Sequence, residues 1–118
     1  MSVESDLGKG LSASVHARHR FHERSTEPTD SVLAAWRDGE PVDVPAAAPV
    51  PRHDEMRYDP VGDVVVCRRE DDLTTVYGLA SAHLTNIHGV AVAAAVDAQY
   101  GTDYRSGIDA ANLEDVNR

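Results

Sequence analysis

The stretch HARHRFHER, His16 to Arg24, packs three histidines, three arginines and a glutamate into nine residues. No helix breaker interrupts Val15 to Arg24, and Ser14 stands where an N-cap belongs, so the segment reads as a helix. At about 100° per residue, His16, Arg20, Glu23 and Arg24 fall within roughly one third of the circumference, while Val15, Ala17 and Phe21 are expected to point toward a core. A face carrying an imidazole, two guanidiniums and a carboxylate suits phosphodiester chemistry. Histidine moves protons near neutral pH, and arginine grips phosphate in a bidentate fork and neutralises charge building in a transition state. The same residues also fit a solvated helix face laced by an i,i+3 Glu–Arg pair. A metal site from His16, His19 and His22 fits less well, because on one helix the first and third diverge by about 120°, and no other Cys or His cluster has metal spacing. No metal and no cofactor are expected.

A second set of polar residues lies in the strand-like middle of the chain. Arg57 and Tyr58 precede a turn, Arg68 and Arg69 end one strand, and Thr74, Thr75 and Tyr77 occupy the next. Simple alternation puts Thr75 and Tyr77 on one face with Leu73, and Thr74 with Val76. Tyr77 also fits a core-edge aromatic. His53, His83 and His88 are scattered and read as surface residues, and the single Cys67, in an apolar run, reads as a small buried hydrophobe.

The elements that must position these groups follow from periodicity and punctuation. Residues 1–13 read as a loose tail. After the first helix, SerThrGluPro at 25–28 breaks the chain, Thr29 or Asp30 can cap a second helix, SVLAAWRD, and Gly39 ends it. Residues 41–44 suggest a short strand, and PAAAPVP at 45–51 a connector that cannot pair regularly. Strands are expected at 56–58, 63–68 and 73–77, joined by an AspProValGly turn at 59–62 and a polar reversal at 70–72. Ser81 can cap a third helix through Gln99, with Leu84, Ile87, Ala91, Ala94 and Ala98 as its stripe and Gly101 as its stop. The expected fold is α+β: N-terminal helices packed on a small antiparallel sheet, followed by a C-terminal helix.

The chain has 118 residues, enough for one domain with a modest core. Twenty acids oppose eleven bases, for a net charge of −9, and ten of those bases are arginine. Such an acidic, lysine-poor composition resembles proteins of halophilic archaea. It would normally argue against a nucleic-acid partner, but in molar salt the Debye length is about 3 Å and only local charge at a site counts. There is no long apolar run to span a membrane and no secretory signal pattern, so a cytoplasmic location is expected.

Taken in order, His-Ala-x-x-Arg-x-x-Glu-Arg, a short helix with AWRDG, a Tyr-containing strand, a Val-rich strand and LTTVY resemble the RelE-related ribonuclease toxins of the barnase–EndoU–colicin–RelE superfold, and short haloarchaeal toxin-like proteins in particular. The likeness spans residues 14–79, with 1–13 as a tail and 80–118 as a helical extension. It implies a helical layer on a four-stranded antiparallel sheet, metal-independent RNA cleavage through the 2′-hydroxyl, and control by a cognate antitoxin. It also implies roles: His16 as acid or base, Arg20 and Arg24 at the phosphate, and Thr75 and Tyr77 on the strand where such domains often place a polar catalytic side chain. In the mechanism this suggests, His16 or Glu23 takes the 2′-hydroxyl proton and Tyr77 or His19 donates to the leaving 5′-oxygen. Arg57, Tyr58, Arg68 and Thr75 would line the substrate. RNA, ribosome-bound mRNA included, and an antitoxin are the implied partners. A different class of function fits the same architecture, a non-catalytic interaction module using the 81–100 helix, and so does a structural protein of a virus or plasmid.

Overall fold

A computed structural model describes residues 11–26, 31–80, 83, 84 and 86–107. The chain opens on a two-residue strand, β1 (Ser12–Ala13), and enters α1 (Val15–Arg24) through Ser14, whose Oγ accepts the Ala17 N–H at 2.9 Å. Ala17 and Phe21, four apart, are the buried residues of α1. Val15, expected to face the core, is 84% exposed: it sits on the far side of the helix from Ala17 and Phe21. α2 (Val32–Asp38) is capped by Ser31, whose side chain accepts the Ala34 N–H, while Thr29 and Asp30 lie outside the described residues. It buries Val32, Ala35 and Trp36.

The sheet holds five strands in the order β1-β5-β4-β3-β2, with β2 at Glu40–Pro41, β3 at Glu55–Asp59, β4 at Val64–Arg69 and β5 at Asp72–Gly78. Four form the antiparallel part, but β1 runs parallel to β5, pairing Ser12 with Asp72 and Ala13 with Leu73. The sheet is therefore mixed rather than antiparallel. Residues 12 and 13, expected in a loose tail, are instead an edge strand, tied by Ser12 N–H to Asp71 O and Ser14 N–H to Leu73 O. The 59–62 turn forms as expected, with the Asp59 carboxylate accepting the Val61 N–H at 3.0 Å.

Two cores flank the sheet. On one face Ala17, Phe21, Val32, Ala35 and Trp36 meet Val64, Val66, Leu73 and Val76. On the other, Met56, Tyr58, Val65 and Cys67 meet Leu79, Leu84 and the buried side of a third helix, α3 (Ile87–Tyr100). Covered on both faces, β4 must be apolar at successive positions, which is why Val64–Cys67 reads as an unbroken run. Ser81, the expected cap, lies outside the described residues; α3 has Asn86 as its cap and ends where Gly101 takes φ +69°. Its buried residues are Gly89, Val92, Ala93, Ala95 and Val96, the opposite side from the expected stripe, and Ile87 is 52% exposed. Because α3 is apolar nearly all round, periodicity alone could not choose the side.

A β-bulge between Cys67 and Arg68 corrects a further expectation. Arg68 pairs with Leu73 but Cys67 with Thr75, so one extra residue, Thr74, enters β5 and the alternation flips there. Leu73 and Val76 consequently share the α1–α2 core, while Tyr77 packs on the α3 core.

Candidate functional site

α1 lies along β5, held by Phe21 and Ala17 on one side and by Arg24 at its end. Burying a phenyl ring of this kind is worth about 2–3 kcal/mol, enough to fix the register of the helix on the sheet. β1 pairs only with Asp72 and Leu73 of β5. Beyond it Arg24 Nη1 donates to the Val76 carbonyl at 2.9 Å. The seam between helix and strand thus carries side chains where a sheet edge would otherwise carry another strand.

Along this seam, His16 is exposed and its Nε2 stands 3.5 Å from Thr75 Oγ1. One turn on, Arg20 Nη1 donates to Glu23 Oε1 at 2.7 Å, and His19 Nε2 lies 3.5 Å from Glu23 Oε2. The hydrogen bond from Arg20 holds the Glu23 carboxyl below the usual carboxylate range, keeping it anionic. Burial pulls the Arg24 guanidinium below its ordinary value, and the Arg20 charge adds to this. Among the described residues Arg24 makes no ion pair. A partly desolvated cation with donors left over favours an approaching anion. Tyr77, half-buried, has its phenol pushed up to about 12, chiefly by burial.

The other expected site residues are elsewhere. Arg57 stacks over the Trp36 ring with its carbon 4.3 Å from the centroid, donates to Trp36 O at 3.0 Å and to Glu55 at 2.8 Å. It thereby satisfies a carbonyl at the C-terminus of α2. Arg68 donates to Glu70 O at 2.6 Å and reaches the same Glu55 at 3.4 Å. Tyr58, 5% exposed, lies beneath α3 on the far face of the sheet, and its hydroxyl meets Tyr104 Oη at 2.7 Å. The structure therefore brings together His16, Arg20, Glu23, Arg24 and Thr75, with Tyr77 next along the strand, and separates them from the Arg57–Glu55–Arg68 group and from Tyr58.

His83, expected at the surface, is half-buried and lies against Gly78 at the end of β5. A Cβ on Gly78 would stand 2.8 Å from His83 Cβ and 3.0 Å from Arg24 Cβ. The available signal was Gly78 itself, since a glycine in a strand marks close approach by another group. The proline-rich connector walls a half-open cavity of about 340 Å³ between Val42–Ala46 and Val50–Met56, lined by none of the nine expected site residues. Among the described residues no three His, Cys, Asp or Glu side chains converge as a metal site would need, and no helix is long and apolar enough to cross a membrane.

Compared with known families, residues 11–80 match the model described as "Putative RelE superfamily toxin domain". No curated protein and no solved structure matches the chain.

Proposed function

The chain belongs to the RelE superfamily toxin-domain family, and from that premise we propose that it is an endoribonuclease whose site is the seam between α1 and β5. The observation that carries this reading is the row His16, Arg20, Glu23, Arg24 on one helix, set against Thr75 of β5. All of it lies inside the matched segment. His16, exposed and within reach of the Thr75 hydroxyl, takes the proton from the RNA 2′-hydroxyl. The 2′-oxygen attacks phosphorus, the bond to the 5′-oxygen breaks, and the products are a 2′,3′-cyclic phosphate and a 5′-hydroxyl. Arg24 and Arg20 hold the phosphate, the latter exchanging Glu23 for it. The Glu23 carboxylate, anionic and hydrogen-bonded, serves to keep Arg20 in place until RNA arrives.

This reading places the chain on the barnase–EndoU–colicin–RelE superfold, in the cytoplasm of a salt-adapted archaeon, under the control of an antitoxin. Its acidic surface is consistent with that setting, where screening leaves the local arginines to attract RNA. The test is cleavage of RNA in molar KCl with a chelator present, by wild type and by His16→Ala. We expect cyclic-phosphate ends from the wild type and a rate lower by about 10²–10⁴ in the variant. Equal rates would remove His16 from the mechanism. A wild type that neither cuts RNA nor arrests growth when induced would make the chain a non-catalytic interaction module.

A further inference from the structure

His16 accounts for one proton in this reaction, and a second must reach the departing 5′-oxygen. We propose that His83 supplies it, as the second proton-transfer residue of the α1–β5 site; this rests on the ribonuclease reading above. His83 lies outside the segment that matches the family, so nothing in that match assigns it.

The backbone brings His83 to the site by anchors on both sides. Leu79 and Leu84 are fully buried in the α3-side core, the Leu79 N–H donates to Asp63 O at 2.9 Å, and the His83 N–H donates to Ala80 O at 2.8 Å. His83 is therefore held at the end of β5. Gly78 is what lets it come this close. With no Cβ there, the stems of His83 and Arg24 approach the same point, about 3 Å from it each. The two Cβ atoms are accordingly within about 6 Å of one another. Arg24 is held in turn by its hydrogen bond to Val76 O. A phosphate taken by Arg24 would find the His83 imidazole beside it.

An in-line displacement needs a base and an acid on opposite sides of one phosphorus, so both imidazoles must reach in toward a phosphate held by the arginines. His16 and Arg24 are separated by eight residues, about 12 Å of helix, with Arg20 between them. An imidazole at each end of the arginine pair can serve the attacking and the leaving oxygen separately. Of the two donors the sequence suggests, Tyr77 suits the task less well, because burial holds its proton too tightly for transfer near neutral pH, and His19 is turned to Glu23, its Nε2 3.5 Å from Oε2. Among the described residues, the charged group that approaches His83 over Gly78 is Arg24 of α1, with Tyr77 beside Gly78 on β5; the Asp63 carboxylate, just before β4, is turned to Thr26 and Tyr104. In the step itself, imidazolium gives its proton to the 5′-oxygen as the P–O5′ bond breaks, and His83 leaves neutral.

The test compares wild type, His83→Ala and His83→Gln for RNA cleavage across pH, for binding of a fully 2′-O-methylated oligonucleotide, and for thermal midpoint. Both variants should keep the wild-type midpoint within a few degrees, bind the methylated RNA within about threefold, and cleave about 10²–10⁴-fold more slowly. The wild-type rate should fall on the alkaline side as the donor loses its proton, and this limb should vanish in both variants. A purely structural role would lower the rate without removing the limb. If His83→Gln cleaves like the wild type with the same pH profile while His16→Ala is impaired, His83 is not the donor and the ribonuclease reading stands. If the wild type does not cleave RNA, that reading falls and takes the His83 role with it.

Discussion

Replacing Tyr104 by phenylalanine should cost stability and leave the α1–β5 seam intact, which makes it a sharp probe of how the two faces of the sheet divide their work. The Tyr104 hydroxyl donates to Asp63 Oδ1 at 2.5 Å and meets the hydroxyl of buried Tyr58 at 2.7 Å. Tyr104→Phe removes a hydrogen bond to a charged acceptor, worth about 1.5–3 kcal/mol, and strands the Tyr58 hydroxyl, at about 1–3 kcal/mol. Asp63 keeps the Thr26 hydroxyl at 2.9 Å, and Tyr104 is only half-buried, so a value at or just below the foot of the summed range, about 2–3 kcal/mol, is the expectation. At about 2.1 cal/mol/K per residue, the unfolding entropy of this chain is about 0.25 kcal/mol/K, and the midpoint should fall by about 8–12 °C. Tyr58→Phe should cost less, about 1 kcal/mol, because Tyr104 retains Asp63. The double variant should then cost less than the sum of the singles, since no hydroxyl is left stranded. Thermal melts of the four proteins measure all of this, with RNA cleavage per folded molecule recorded beside them. A Tyr104→Phe midpoint within about 3 °C of wild type, or strict additivity, would refute the bookkeeping. Loss of cleavage in the folded Tyr58→Phe protein would show that Tyr58 serves the substrate after all.

Stability should also decline in alkali. Burial raises the phenols of Tyr58, Tyr77 and Tyr104 above their usual 10, and the thiol of Cys67 above its usual 9. Below those values both folded and unfolded chains hold the protons; above them only the folded chain does, so stability falls as pH rises from about 9 toward 12. Melts across that window should show a falling midpoint with a shallower slope in Tyr77→Phe, and a flat profile would contradict the burial of these groups. Gly78→Ala would place a methyl carbon 2.8 Å from His83 Cβ and 3.0 Å from Arg24 Cβ. It should cost about 1–3 kcal/mol by overpacking and reduce RNA cleavage in the molecules that remain folded, whereas wild-type cleavage would show that the two side chains need not meet there.

Much of this architecture is legible in the chain alone, because it depends on neighbours a few residues apart. Ser14 accepts the Ala17 N–H, Asp59 the Val61 N–H, and Gly101 takes the left-handed conformation that stops α3, each a local hydrogen-bonding or steric requirement of one residue type. The His16–Arg20–Glu23–Arg24 face follows from helical periodicity, and Arg20 does find Glu23.

What tertiary structure decided are the relations between elements distant in sequence. Periodicity states which side chains share a face, but not which face is covered: α3 is apolar nearly all round, and the burial of Val92 and Val96 in the core that also holds Cys67 and Tyr58 chose its buried side. One bulged residue, Thr74, reversed the faces of Leu73 and Tyr77, because strand alternation carries no memory across an insertion. The partner of β1 lies 60 residues away, and the meeting of His83 with Arg24 over Gly78 depends on two buried leucines that hold His83 at the end of β5. Residue types and spacings alone supplied the chemistry available to this protein. Which of its histidines and arginines meet was determined by long-range burial, whose energy depends on contacts that no local pattern records.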